Sequence, residues 1–360
     1  MKLKIELNDI GIDYCGNICN SNFFTDVYPK IHHTHNNDIW IDSSDVYLVF
    51  EKFIDRGAYG ALSICRRYRG IKRVHTEEYE LVFAKIPARP FLSRDSLFWE
   101  ACIQMIIRKT LMHAGFSNGS PRVRDIFELD DGTIGYTMDI IFGSKSFDNL
   151  LANSSKKDFS RLIIEGICQV ASMISILQRK LGFNHRDLRA ANLLCRDVGE
   201  QDAQNMKFSN LIVFDENDIN RYQYLKVHSA LEFTLIDFGF TCFGDCHDCG
   251  RFCLNGRVYN PLDICPKPGR DMFMFLAFLL AEFGDKMDSN LRRYFKKWLH
   301  ASCGVELPLS VAKPGRGIYQ FLRRYGLKAD KWIYFIAGNK NIISIRSTNA
   351  LNIVRNLQEM

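Results

Sequence analysis

The chain has 360 residues, of which 47% are hydrophobic, 12% aromatic and 24% charged, enough apolar surface to offset chain entropy and exclude global disorder. Its 47 Lys and Arg against 41 Asp and Glu leave a net charge of +6, which permits an anionic ligand but lacks the basic stripe of a nucleic-acid binder. No apolar signal region opens the sequence, and the longest unbroken apolar run, Met272 to Ala281, has ten residues where a bilayer span takes about 20, so a soluble, cytoplasmic chain is expected, without a membrane or nucleic-acid partner.

Residues 1–45 are polar and predict an irregular N-terminal extension. Cys15, Cys19, His32, His33 and His35 fall here without the paired short spacing of a metal site, and read as exposed polar turns. β-Branched and aromatic residues then predict strands at Val46–Phe50, Ala61–Cys65 and Leu81–Lys85. A basic stretch between the last two, Arg66 to Arg73, reads as a solvated loop. Helical spacing follows over Phe98 to His113, and strand character returns over Ile134 to Ile141. From Phe159 onward helices dominate: Phe159 to Leu181, Asp271 to Phe283, Asn290 to His300, Gly317 to Tyr325 and Thr348 to Gln358. The expected class is α+β, with a small β-rich lobe over 46–142 containing one main helix and a larger, mainly helical lobe over 143–360, the boundary lying near Gly143. A polar segment, 198–229, reads as an insertion between two strands.

Chemistry-bearing residues recur in order along this frame. Ile54-Asp55-Arg56-Gly57-Ala58-Tyr59-Gly60-Ala61-Leu62 joins two strands, and its small residues would let backbone N–H groups approach a polyphosphate. Lys85 ends an apolar strand, where a charge needs a partner, and Glu100 in the next helix is available. His185-Arg186-Asp187-Leu188-Arg189-Ala190-Ala191-Asn192 and Asp237-Phe238-Gly239 follow. Two carboxylates and an amide in this order suit a metal-bound polyphosphate and an oriented hydroxyl.

The ordered set resembles the protein kinase superfamily over about residues 46–285, and implies a two-lobed kinase-like fold with a nucleotide-covering first lobe. By that resemblance Ile54 to Leu62 would cover the phosphates of ATP, and Lys85 would contact the α- and β-phosphates while pairing with Glu100. Asp187 would accept the proton of a substrate hydroxyl, with its pKa near the usual carboxylate value, and Arg189 would sit beside the transferred phosphate. Asn192 and Asp237 would hold Mg²⁺ or Mn²⁺. Met138 would be the gatekeeper, Asp139 and Ile140 the adenine hinge, Asp148 the ribose contact and Leu194 the floor under the base. Asp271 would brace the catalytic loop. The implied activity is transfer of the γ-phosphate to Ser or Thr hydroxyls of a protein substrate, by a monomer. A nucleotide- or partner-binding pseudokinase and a small-molecule kinase are the alternatives.

The sequence departs from that pattern in ways that bear on substrate choice. Asp55 replaces the first glycine of the phosphate loop, Gln104 stands where an apolar residue would meet the Phe238 ring, and no Ala-Pro-Glu precedes Asp271. Such erosion resembles that of short-form kinases from large DNA viruses. Between Gly239 and Arg270 the only hydroxyl side chains are Thr241 and Tyr259, a thin basis for a phosphorylation switch. The same segment places Cys242, Cys246, Cys249 and Cys253 within twelve residues, which admits a structural Zn²⁺, a reduced thiol-rich loop or a disulfide, with Cys265 as a further sulfur.

Overall fold

The computed structural model describes residues 31–33, 38–41, 46–56, 60–69, 78–88, 96–129, 132–198, 211–214, 222–225, 230–243, 252–253, 269–303 and 353. It is a mixed α+β chain that divides into two compact units, one of residues 1–108 and 121–141, the other of residues 109–120 and 142–360. Residues 109–120 thus belong with the second unit, although they precede the expected boundary near Gly143.

The first unit is built on a seven-stranded antiparallel sheet. In chain order its strands are β1 (Ile31–His33), β2 (Asp38–Ile41), β3 (Val46–Arg56), β4 (Gly60–Arg69), β5 (Glu80–Pro87), β6 (Val123–Glu128) and β7 (Ile134–Asp139), in the spatial order β1-β2-β3-β4-β5-β7-β6. Helix α1 (Ser96–His113) is inserted between β5 and β6. Alternation sets the buried face: Val46 and Leu48 of β3, Cys65 of β4, Val82 and Ala84 of β5 and Phe127 of β6 form one core cluster. Leu97 and Ala101 of α1 pack with Tyr136 of β7 in a second cluster, and Phe98 and Cys102 pack with Ile134 in a third.

Three sequence-based expectations change here. Residues 31–33 and 38–41 are strands that extend the sheet, where an irregular segment was expected. Arg66 to Arg69 lie within β4 and not in a solvated loop, because Arg67 points into the core face and is neutralised there. Its Nε and Nη2 donate to Asp125 at 2.8 and 2.7 Å, its Nη1 reaches Glu80 at 3.3 Å, and only 5% of its side chain is exposed. Strand β6 was not expected at all: Val123-Arg-Asp-Ile-Phe-Glu128 carries three charges, and Asp125 is the carboxylate that Arg67 uses.

The second unit opens with β8 (Lys145–Ser146), α2 (Phe147–Asn153) and α3 (Lys156–Leu181). Ser155 caps α3, accepting from the Asp158 N–H at 3.2 Å, and Gly182 closes it at φ 58°, where a side chain would be strained. Among the described residues α3 is the one helix long and apolar enough to cross a membrane, and 78% of its apolar window is buried within the fold. A 3₁₀ turn (Ala190–Asn192) leads into β9 (Leu193–Asp197). The hairpin β10 (Leu211–Phe214) and β11 (Tyr222–Leu225) and the strand β12 (Leu231–Leu235) follow. Strands β9 and β12 are antiparallel neighbours with Asp197 opposite Leu231, so the intervening segment leaves and re-enters the ladder at one point, and it contains a hairpin of its own. Two short strands, β13 (Cys242–Phe243) and β14 (Phe252–Cys253), pair next, and α4 (Arg270–Phe283) and α5 (Ser289–Cys303) end the described secondary structure apart from residue 353. Helix α4 is buried at thirteen of its fourteen positions, as its unbroken apolar run requires. The expected helices over 317–325 and 348–358 lie outside the described residues, save residue 353.

Candidate active site

In the first unit, strand β5 ends at a charged pair. The Lys85 Nζ lies 2.5 Å from Glu100 Oε1 on α1, with the two side chains 14% and 2% exposed. Burial makes each of these charges costly alone, so the pair is the state in which both are tolerated. Tyr136, opposite Lys85 in the β5–β7 register, donates its hydroxyl to the same Glu100 oxygen at 3.2 Å. That third member was not legible in the sequence, since only strand pairing sets Tyr136 beside Lys85. Gly60 is required by the lysine: a Cβ at that position would lie 2.8 Å from Lys85 Cε and 3.0 Å from Cγ.

The segment expected to cover phosphates, Ile54 to Leu62, is described at its two ends. Ile54, Asp55 and Arg56 close β3, with Asp55 opposite Leu62 and Arg56 opposite Ala61 across the hairpin, while Gly57, Ala58 and Tyr59 lie outside the described residues. All three β3 positions are exposed, and the Asp55 carboxylate accepts the Arg56 N–H at 2.7 Å, a local contact that occupies one of its oxygens. Gln104 is buried in the first unit, where its Nε2 donates to the Pro121 carbonyl at 2.9 Å and approaches Met138 Sδ at 3.5 Å. Its amide is therefore satisfied where an apolar side chain was expected. Asp139 ends β7, pairs with Arg124, and donates its N–H to the Arg122 carbonyl at 2.8 Å; Ile140 follows it, half-buried.

In the second unit the loop between α3 and β9 is held from three directions. Asp271, fully buried in the first turn of α4, accepts from Asn184 Nδ2 at 3.1 Å, the His185 N–H at 2.9 Å and the Arg186 N–H at 3.0 Å. Asn184 exchanges both backbone hydrogen bonds with Cys242, at 2.8 and 3.0 Å. The His185 ring packs 5.4 Å from the Phe238 ring, and its Nε2 is 3.0 Å from the Ile236 carbonyl. These roles of Asn184 and His185 escaped the sequence reading, which assigned neither a contact; the polar Asn-His pair just before Arg186-Asp187 was the available signal.

Two non-glycine residues of the described chain have positive φ, Arg186 at 66° and Asp237 at 64°. One precedes Asp187 and the other is itself a candidate ligand. Each such conformation costs about 1–3 kcal/mol and persists only where its surroundings over-determine it, which the Asp271 bonds do for Arg186. Downstream, Asn192 Nδ2 donates to both the backbone oxygen and Oδ2 of Asp187, each at 2.9 Å, and Arg189 Nε stands 3.6 Å from Asp187 Oδ1. The Asn192 carbonyl accepts the Ile236 N–H at 3.1 Å, which ties the residue preceding Asp237 to the same turn. The structure thus brings Asp187, Arg189, Asn192 and Asp237 together. Asp148 is buried in the first turn of α2, and Leu194 on β9 lies opposite Ser146 and Thr234.

The Asp187 carboxyl is pushed above its ordinary value of 3.8, first by burial and also by the Asp237 charge, against the opposing pull of Arg189, His185 and Asn192. This corrects the expectation of an unperturbed carboxylate. The two carboxylates repel, and a divalent cation would relieve that repulsion. Because both contacts of Asn192 Nδ2 go to Asp187, the amide oxygen is the atom Asn192 can offer a cation, and that oxygen and the Asp237 carboxylate are donors of the hard kind that Mg²⁺ takes.

Of the four clustered cysteines, only Cys242 has its side chain among the described residues. Cys242 is disulfide-bonded and fully buried, and a disulfide sulfur is not the thiolate that Zn²⁺ binds. Cys246 and Cys249 lie outside the described residues, as do the side chain of Cys253 and all of Cys265. Compared with models of protein families and with curated proteins, the sequence matches none.

Proposed function

We propose that the chain is an ATP-dependent protein kinase that transfers the γ-phosphate to Ser or Thr hydroxyls of a protein substrate, its two units being the β-rich and helical lobes of a protein-kinase-like fold. The observation that carries this reading is the cluster of Asp187, Arg189, Asn192 and Asp237, fixed by two strained backbone positions. Phosphoryl transfer demands little covalent work from a protein, so rigid placement of a proton acceptor and of charge-neutralising groups is the needed contribution.

In this reading Asp187 aligns the substrate hydroxyl and takes its proton, which its raised proton affinity favours. Arg189 offsets charge on the transferred group. Lys85, positioned by Glu100 and the Tyr136 hydroxyl, binds the α- and β-phosphates. Asn192 and Asp237 would hold Mg²⁺ or Mn²⁺, which when bound neutralises phosphate charge in the transition state.

The test is label transfer from γ-labelled ATP to a peptide array, with calorimetric titration of Mg·ATP. Asp187→Asn is expected to lower turnover about a hundredfold or more while sparing nucleotide binding. Asp237→Ala is expected to weaken Mg·ATP binding as well. Undiminished phosphorylation in both variants would refute the assignment; Mg·ATP binding without turnover in the parent would mark a binding module, and transfer only to small alcohols a small-molecule kinase.

A further inference from the structure

Strands β6 and β7 slip by one residue near the end of β7. Val123 faces Met138 and Asp125 faces Thr137, which leaves Arg124 as the extra residue of a β-bulge. A bulge re-aims the side chain it carries, and the Arg124 guanidinium turns to the carboxylate of Asp139, the last residue of β7. The Asp139 N–H donates to the Arg122 carbonyl at 2.8 Å, so a second arginine borders the same residue.

Helix α1 brings a third guanidinium. Gln104 donates to the Pro121 carbonyl at 2.9 Å and approaches Met138 Sδ at 3.5 Å, and these two residues immediately precede Arg122 and Asp139. Arg108 lies one helical turn beyond Gln104 on the same face of α1. Burial lowers the proton affinity of the Arg108 guanidinium, and the charges of Arg122 and Arg124 lower it further against the pull of Asp139. Arg108, Arg124 and Asp139 are half-buried, Arg122 is exposed, and all four belong to the first unit.

Three guanidiniums thus converge where, among the described residues, Asp139 is the one carboxylate that acts on Arg108. It balances one of the three positive charges, and the excess sits in a half-buried cluster that reaches solvent at Arg122. A dianion matches that excess. Guanidinium forks pair with phosphate oxygens in fixed geometry, and a phosphate monoester carries about −1.5 to −2 charges at pH 7, more than a carboxylate or a phosphodiester does.

We propose that Arg108, Arg122 and Arg124 form a binding site for a phosphate monoester dianion, with Asp139 as the internal counter-ion that orients Arg124. The exposed edge at Arg122 admits a phosphate carried on a protein side chain as well as the free ion. The site uses none of Lys85, Asp187, Asn192 and Asp237, and it stands whether or not the chain is a kinase.

The full-length chain is titrated with inorganic phosphate, followed by ³¹P line width, and with a fluorescent Gly-Ser-Gly peptide in phosphorylated and unphosphorylated forms, followed by anisotropy. A single-stranded oligonucleotide serves as the phosphodiester control. Phosphate and the phosphopeptide are expected to bind and the unphosphorylated peptide is not; the tighter of the two ligands tells a free ion from a protein-borne phosphate. Arg108→Gln and Arg122→Gln are each expected to weaken binding roughly tenfold, as loss of a charge-assisted hydrogen bond does. Arg122 is exposed, so its variant keeps the comparison if Arg108→Gln does not fold. Asp139→Asn is expected to tighten binding by removing the competing carboxylate, an effect that a purely structural ion pair would not produce. Lys85→Met is expected to retain binding. Absence of binding by both monoesters, equal affinity in the parent and the two arginine variants, loss of binding in Lys85→Met, or preference for the oligonucleotide would each overturn the proposal. Phosphate binding here without any transfer from ATP would overturn the kinase reading alone.

Discussion

Asp187 concentrates the electrostatic tension of the candidate site. Its proton affinity is raised by burial and by Asp237, so the folded chain holds that proton more tightly than the unfolded chain does. By linkage, the stability contributed by the neutral carboxyl is complete below the ordinary value of 3.8 and is lost as pH rises through the folded value. Asp187→Asn is therefore expected to raise the thermal midpoint at pH 7 to 8, with the gain shrinking as pH is lowered towards 3.8. Scanning calorimetry of parent and variant across that range checks the sign; a constant difference at all pH values would count against the assignment of the strain to this carboxylate. The sequence names Asp187 and Asn192 by their spacing, yet neither the raised proton affinity nor the positive φ of Arg186 and Asp237 is readable there. Both depend on β12 delivering Asp237 beside a loop more than forty residues earlier.

At the scale of elements, legibility followed how local the cause was. Helices α3 and α4 are evident from apolar periodicity, expected at Phe159–Leu181 and Asp271–Phe283 and found at Lys156–Leu181 and Arg270–Phe283, because an apolar stripe is a property of nearby residues; the first, polar turn of α3 and its Ser155 cap lie outside the stripe and were not read. Strand β6 is hidden by its own charges, which make sense only once Arg67 is brought from β4 to Asp125. Close approach is equally invisible in one dimension. Gly166 lets α3 pass against Phe147 and Phe233, whose rings meet edge to face at 5.0 Å. A Cβ there would lie 2.7 Å from the Phe147 ring and 3.2 Å from Phe233. Displacing a fully buried ring costs more than a helical alanine returns, so Gly166→Ala is expected to destabilise the chain by about 1–2 kcal/mol in urea unfolding. A neutral or stabilising result would show that the Phe147 ring moves freely.

Over the whole molecule, buried free thiols provide two probes in each compact unit. Cys65 and Cys102 belong to the first unit, and Cys168 and Cys195 to the second. Burial pushes the Cys65 thiol up to about 11 and the other three to about 12, so at neutral pH their thiolate forms are scarce in addition to being shielded. Iodoacetamide at pH 7.5 is expected to leave all four unmodified in the native chain and to label them as denaturant unfolds their units. Mass mapping at each denaturant concentration then yields a transition for each unit, and rapid labelling of any of the four without denaturant would contradict the burial described.

Asp271 sets a timetable as well as a geometry. The three groups it receives, from Asn184, His185 and Arg186, lie 85 to 87 residues upstream. At a synthesis rate of about 5–20 residues per second, roughly 4–17 s separate production of the loop before β9 from production of the carboxylate that shapes it. A nascent chain passes through that interval with the loop unbraced and the positive φ of Arg186 unsupported. The bracing of this loop is thus a late acquisition in the life of each molecule, gained only when the first turn of α4 has emerged and docked.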